Sequence, residues 1–371
     1  MVRLSRAQQQ ERNRARVLTA AREEFAERGY REAKIDRIAD RADLTRGAVY
    51  SNFPGKRALY LAVLADSAER APLGETADGV LVEEALGAFA RAWVARLPFT
   101  GTDERVGTEL MAEVTADPRV SRVYAQLTSL RAVLLALALE HLEPERPDAG
   151  KEAGRRRVRA AQSVLTTLHG AGQLAAAAPG FTDPFTVIRS CERLAGLDLD
   201  DSWPLPHIAH VPAARPVDEP WAAPTALDTL HGERVPVDDG VVTVLGLHRL
   251  EAVEEALRAV PEGVPVTVVP VTAEPAELLP LVRLVLAELR VCLSHSFPDR
   301  AWARPRIVLD PAVAAAAGAA EPDDDTETAL RLHGGRVVAR SEGRGAAHAV
   351  GAFTPEAPTR EGGRAGTRAR R

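Results

Sequence analysis

The chain has 371 residues, 46% hydrophobic and 27% charged, enough for two or three domains with their own cores. A net charge of −5 excludes a protein that binds polyanions over its whole surface. Residues 1–70, with fifteen Lys+Arg and ten Asp+Glu, have a net of +5, which leaves −10 on the other 301. Only two cysteines are present, Cys191 and Cys292, each alone, which argues against a disulfide framework or a thiolate zinc site and for a reducing cytoplasm.

The first residues, 1–11, form a basic arm that continues the run Arg3, Arg6, Arg12, Arg14 and Arg16 against Glu11. Such an arm is expected to be mobile, and either touches phosphate or is simply solvated. It has no apolar core of the signal-peptide kind. From Arg12 to Arg28 the spacing of Val17, Leu18, Ala21 and Phe25 predicts a helix, with Gly29 placed to end it in a left-handed conformation. A second helix is expected from Lys34 to Ala42, with Ile35, Ile38, Ala39 and Ala42 on one face. Small Ala39 would permit a steep helix crossing. Asp43 then takes the turn, where a left-handed backbone is needed. Leu44 returns to the core, and Thr45 is placed to cap a third helix. Val49 and Phe53 pack that helix inward and leave Thr45, Arg46, Gly47, Ala48, Tyr50 and Ser51 outward. Pro54-Gly55-Lys56-Arg57 opens a fourth helix through Leu59, Tyr60, Val63 and Leu64. Two cations in its first turn oppose the helix dipole, and a bound phosphate would reverse that sign.

This is a helix-turn-helix pattern, whose chemistry is charge and shape. Arg46 can pair with guanine O6 and N7, Gly47 lets the backbone approach a groove, Tyr50 can meet a phosphate or a thymine methyl, and Lys56 is placed as a phosphate clamp. On Phe25, Gly29, Ile38-Ala39, Ala42, Leu44-Thr45-Arg46-Gly47, Val49-Tyr50, Phe53, Lys56 and Leu59, residues 12–64 resemble the DNA-binding domain of the TetR family of bacterial transcriptional regulators. The resemblance implies a three-helix DNA-binding domain, here set at 12–70, with DNA contacts from Lys34, Thr45, Arg46, Gly47, Ala48, Tyr50, Ser51, Asn52 and Lys56. Two positions depart from the pattern. Asp43 stands where the family most often has Gly, and Ala33-Lys34 stand where Thr or Ser commonly caps the second helix, so the phosphate contact there is expected to pass to Lys34.

Residues 71–199 read as helical throughout. Val82, Leu86, Phe89, Trp93 and Leu97 make one stripe. A helix is expected from Asp103 to Thr115, another after Asp117-Pro118 to about Leu142, a loop at Glu143–Gly154, and helices at Arg155–Ala178 and Asp183–Ala195. The resemblance implies a ligand-binding and dimerisation domain, whose last two helices pair with their copies in a second subunit. Leu165, Leu168, Gly172 and Ala175-Ala176 give a stripe suited to close helix approach, either across a dimer or within one chain. Phe89, Trp93, Met111, Tyr124, Leu127 and His169 are the ligand-pocket candidates, with Glu109, Arg131 or His169 to orient a small-molecule effector; ordinary core packing is the competing reading for each.

Past Leu199 the resemblance ends. Residues 200–232 read as a linker, since Pro204, Pro206, Pro212, Pro216, Pro220 and Pro224 oppose regular structure, while Trp203 and Trp221 suggest that it docks. Residues 233–350 read as a small α/β domain. Strands are expected at Val241–Leu247, Val264–Val271 and Arg306–Leu309, helices at Arg249–Val260 and Glu277–Leu293, and a hairpin around Gly334-Gly335. Leu278–Leu293 is apolar but broken by Arg283, Glu288 and Arg290, so it is no membrane span. Glu321–Glu327 is expected to be loose, and residues 351–371 to be a disordered tail. The turn Gly246-Leu247-His248-Arg249 carries no phosphate-cradling motif, Ser294-His295-Ser296 lies in no nucleophile elbow, and His207, His210 and His231 lack partners at metal-ligand spacing. The fold class is therefore mostly α with a small α/β addition. The expected function is a non-enzymatic, cytoplasmic, homodimeric regulator, a repressor binding a palindromic DNA operator and an effector, with no cofactor or metal. A regulator fused to an enzymatic or effector module, and an architectural DNA binder, are the alternatives.

Overall fold

The computed structural model describes residues 5–97, 109–142, 156–197, 199–201 and 213–354. Part of the helix expected from Asp103, the loop at 143–154, Trp203, His207, His210 and the end of the tail lie outside them.

Helix α1 (Arg6–Glu32) starts earlier than its apolar spacing predicts. Ser5 and Gln8 form a reciprocal capping box that draws most of the expected arm into the helix. Two of the arm's cations are also spoken for. Arg14 stacks over the Phe53 ring at 4.5 Å, and Arg16 pairs with Asp43 at 3.1 Å. Gly29 has the expected positive φ (72°), but its ψ of 173° makes a kink that the helix outlasts. Helices α2 (Ile35–Arg41) and α3 (Arg46–Tyr50) follow, with Asp43 in the left-handed region between them (φ 49°). Val17, Ala21, Phe25, Ile38, Ala39, Val49 and Phe53 close the small core of this head together with Leu59, Tyr60 and Val63 of α4 (Lys56–Glu69). Helix α4 faces both ways, since Leu61, Ala65 and Ala68 enter the core of the body.

The body comprises α5 (Val82–Val94), α6 (Leu110–Ala116), α7 (Pro118–Leu142), α8 (Val158–Ala177) and α9 (Pro184–Leu194). Helix α7 is long and apolar enough to cross a membrane by length and composition, but most of it is buried in the protein. The α8 stripe turns inward: Leu165, Leu168 and Ala175 are buried within the chain, and Gly172 lies against Leu97. Its small residues thus serve packing inside the monomer. Large apolar groups left outside include Leu81 (65% exposed), Leu174 (43%), Phe181 (75%), Phe185 (74%) and Leu197 (43%).

Regular structure resumes inside the expected linker. Strand β1 (Arg215–Pro220) pairs antiparallel with the later strand Arg336–Glu342, and β2 (Thr225–Asp228) pairs with β3 (Glu233–Pro236). The prolines are tolerated because β1 is an edge strand with a register shift between Pro216 and Glu219, so fewer backbone donors are required of it. Trp221 docks as expected, its indole N–H donating to the Val237 carbonyl at 2.6 Å.

The remaining elements are β4 (Gly240–Gly246), α10 (Ala252–Ala259), β5 (Val266–Val271), α11 (Pro275–Ser294), β6 (Arg306–Ile307), α12 (Pro311–Ala316), β7 (Glu327–His333), β8 (Arg336–Glu342) and α13 (Ala346–Gly351). The sheet runs β1-β8-β7-β4-β5-β6, with β4, β5 and β6 parallel, β7 antiparallel to β4, and β8 antiparallel to β7. Residues 240–307 thus form the expected βαβαβ unit. Val242, Val244, Val269 and Val271 point to the side covered by Trp221 and α12; Val241, Leu245, Val266 and Val268 join the core that contains α10, α11 and the body. The acidic stretch 321–327 is ordered rather than loose: Asp323 accepts from the Thr326 hydroxyl at 2.8 Å, and Glu327 opens β7. It also closes the carboxyl end of β4, for a Cβ on Gly246 would lie 2.3 Å from the Asp324 backbone.

Candidate nucleic-acid interface and the body behind it

Thr45 caps α3 as its position predicts, its hydroxyl accepting the Ala48 N–H at 3.2 Å. Val49 and Phe53 anchor the inner face at 1% and 2% exposure. Thr45, Arg46, Gly47, Tyr50 and Ser51 are exposed and Ala48 and Asn52 half-exposed, so a rigid short helix presents one continuous polar edge. Arg46 leans on that edge, its guanidinium 5.5 Å from the Tyr50 ring centroid and 3.4 Å from Asp36. Both side chains of the Arg46–Asp36 pair are more than half exposed, so water screens it and the guanidinium is cheaply recruited to a base. Asn52 is turned to the backbone, donating to the Ala48 carbonyl at 2.8 Å.

Lys34 is exposed and makes no side-chain cap for α2. Buried Glu24 lies beside the start of α2, with Oε1 3.5 Å from the Lys34 N–H, and also meets Arg28 and Arg41 at 3.4 Å. The Lys34 ammonium is thereby left to the solvent side. Lys56 differs from its expected role. Its ammonium donates to the Arg31 carbonyl at 3.0 Å and sits 4.7 Å over the Tyr30 ring, closing the end of α1. Burial draws its pKa below the usual lysine value against the pull of Glu109, Glu113 and Glu32.

Arg57, next to it, faces inward. It pairs with Asp117 at 2.9 Å and with Glu277 at 2.7 Å, so carboxylates of the body and of α11 compensate the cation at the start of α4. Glu109 faces the head: its carboxylate accepts the Tyr30 N–H beside the Gly29 kink and ties the body to the head.

Four of the pocket candidates meet. The His169 ring lies 4.9 Å from that of Trp93 and 6.0 Å from that of Tyr124, and Phe89 stacks on Trp93 at 6.4 Å. Met111 and Leu127 belong to the same core. Behind the rings is Arg131, 1% exposed, with its guanidinium carbon 5.3 Å from the Trp93 centroid. It donates to Glu288 and to the Val285 carbonyl of α11. Burial and the nearby Arg131 charge lower the His169 pKa to about 4 despite the pull of Glu288.

An unfolded histidine titrates near 6.5, so as pH falls from there the unfolded chain takes up a proton that the folded chain refuses. Stability is therefore expected to fall by about 2 kcal/mol between pH 6.5 and pH 5 through this group. Urea denaturation of the native chain and of His169→Phe across that range checks it: the variant should lose that slope.

The other sequence candidates are structural. Ser294 Oγ donates to the Val291 carbonyl and accepts the Gly74 N–H, and His295 Nδ1 lies 2.8 Å from the Val291 carbonyl oxygen. His231 bridges Asp228 at 2.6 Å and the Trp302 carbonyl at 2.8 Å. What sequence reasoning missed is the Arg57–Glu277 and Arg131–Glu288 pairing. The charges interrupting Leu278–Leu293 were the available signal.

Residues 17–63 match the family model described as bacterial regulatory proteins, tetR family. The HTH-type transcriptional activator FasR of Mycolicibacterium smegmatis is 49% identical over 51 residues, 14% of this chain and 23% of that protein. The HTH-type transcriptional regulator SrpR of Pseudomonas putida is 42% identical over 72 residues, 19% of this chain and 34% of that protein. The chain thus spans a quarter to a third of the length of these two curated relatives. Among solved structures, a TetR transcriptional regulator from Rhodococcus sp. RHA1 aligns over 50% of this chain and 94% of its own at 19% identity and a TM-score of 0.32. NalD, the secondary repressor of the MexAB-OprM multidrug efflux pump in Pseudomonas aeruginosa, aligns over 50% of this chain and 96% of its own at 22% identity and a TM-score of 0.33. Residues 17–63, with the α1–α4 head built around them, thus carry the pattern of the tetR family of bacterial regulatory proteins.

Proposed function

We propose that the chain is a DNA-binding transcriptional regulator that reads a palindromic operator as a homodimer and acts as a repressor where that operator overlaps a promoter. The observation that carries this is α3: a capped helix, pinned by Val49 and Phe53, with Arg46, Tyr50 and Ser51 exposed along one edge. Lys34 lies exposed at the start of α2 and supplies a phosphate contact. Residues 1–70 carry a net charge of +5 on a chain of net −5, and the family match of the head supports the same role. The body and the sheet domain receive the signal. Fluorescence anisotropy with fragments of the gene's own promoter tests the reading. Binding should exceed that of random DNA and fall steeply with salt; equal binding to both sinks it.

The dimer reading is supported by Phe181 and Phe185, two large rings about three-quarters exposed beside Leu174. Phe181→Ser with Phe185→Ser is expected to yield a monomer in analytical ultracentrifugation and to weaken operator binding about tenfold, since each half-site is then held alone. An unchanged sedimentation coefficient would place the interface elsewhere.

A further inference from the structure

Helix α11 lies where the sequence places an effector. Its Leu281, Leu284, Val285 and Leu289 are buried and share one core with Phe89, Trp93 and Leu127. Its Glu288 and Val285 carbonyl take the Arg131 guanidinium. Among the described residues, Nη1 of Arg131 and Nε2 of His169 remain buried without a hydrogen-bond partner, so this seat was not built solely to pack apolar side chains. Through the Glu288 carboxylate and its apolar side chains, a helix of the same chain thus presents to a buried cation and a ring-lined wall the chemistry of an anionic, apolar ligand.

The same helix holds α4. Glu277 takes Arg57 at one end of α4, at 2.7 Å, and Arg283 takes Glu69 at the other, at 2.6 Å. The segment after α4 straps the far end of α11: the Gly74 N–H donates to Ser294 Oγ and the Thr76 hydroxyl to the Ser294 carbonyl, both at 3.1 Å. Helix α7 is gripped along its length by this C-terminal part, through Arg119–Glu274, Gln126 to the Glu251 N–H, Arg131–Glu288 and Glu140–Arg258. Helix α4 is also the rod that carries the head, since its Leu59, Tyr60 and Val63 complete the head's core.

We propose that α11 is a tethered occupant of the effector seat, and that the C-terminal α/β domain, through α11, sets the position of α4 and with it the DNA-reading head. A molecule or protein that binds this domain shifts the head by as much as it prefers one position of α11 over another. The device rests on the reading of the chain as a DNA-binding regulator.

The test uses the full chain with Glu277→Gln and Arg283→Gln together. These changes remove both ion pairs between α11 and α4 and leave the buried face of α11 intact. Their side chains are 18% and 36% exposed, and circular dichroism verifies the fold. Arg336→Gln, at the sheet edge on Asp218, is the control. Operator affinity of the double variant is expected to change by about fivefold or more, the size of typical coupling between sites, with the control at the wild-type value. Operator binding to the wild type is expected to change deuterium uptake in 275–294 together with 56–69. An affinity change below about fivefold, an equal change in the control, or uptake in 275–294 indifferent to operator overturns the proposal. Should the wild type bind no promoter fragment above random DNA, the regulator reading itself fails. The grip is then judged without DNA: the double variant must raise uptake in 56–69, and unchanged uptake there overturns it.

Discussion

Glu288→Ala is expected to destabilise the folded chain by about 3 kcal/mol, measured by urea denaturation at neutral pH, because it leaves the Arg131 charge buried without its counter-ion. Arg131 is 1% exposed and Glu288 21%, so the cation has little water to turn to and the carboxylate some, which puts the cost at the lower end of the range for broken buried pairs. Replacing both, Arg131→Met with Glu288→Leu, should recover more than half of that loss, since two apolar groups need no partner. A loss for Glu288→Ala no larger than that of an exposed pair such as Arg336–Asp218 would show that water reaches Arg131. The pair also has a pH signature. Burial works to raise the Glu288 pKa, but Arg96 and Arg131 outweigh it and hold it below the usual carboxylate range. A depressed carboxylate contributes fully above its unfolded value, about 4.3, and its contribution is lost as pH falls through the folded value. Glu288→Ala should therefore be less acid-sensitive than the native chain below about pH 4.3.

Arg46→Ala is expected to weaken specific operator binding by about 1–3 kcal/mol, roughly fivefold to 150-fold, and to relax preference at one base pair of each half-site. The side chain is 61% exposed and its partners Asp36 and Tyr50 are exposed as well, so thermal stability should stay at the native value. Lys34→Ala makes the informative contrast. It should weaken all sequences alike and reduce the salt slope by about one unit, because a phosphate contact carries no sequence information. If Arg46→Ala weakens specific and random DNA equally, Arg46 is a phosphate contact and another side chain of α3 reads the bases.

The head was legible from residue order because its determinants are local. Thr45 caps α3 three residues from the Ala48 N–H that donates to it, Val49 and Phe53 lie one helical turn apart, and Asp43 takes the left-handed turn that short polar side chains tolerate. The βαβαβ unit was legible for a similar reason: β4 and β5 are continuous apolar runs separated by a helical period. The prolines of 215–220 misled, because Pro opposes a central strand but not an edge strand, and edge position is a property of the sheet. The α8 stripe was equally ambiguous. Leu165 and Leu168 carry a period, and a period does not name the partner that buries it.

What the sequence by itself determined is the reading head: its three helices, the turn between α2 and α3, and the exposed edge that carries Arg46 and Tyr50. Only the tertiary structure decided that Lys56 closes α1, that Arg57 turns to Asp117 and Glu277, and that Arg131 finds Glu288 at a separation of 157 residues. The physical reason is range. Caps, turns and helical faces are set by neighbours within a few residues. An arginine is satisfied by whichever carboxylate the folded chain brings within reach, and nothing in the residues around Arg131 or Glu288 records which one that is.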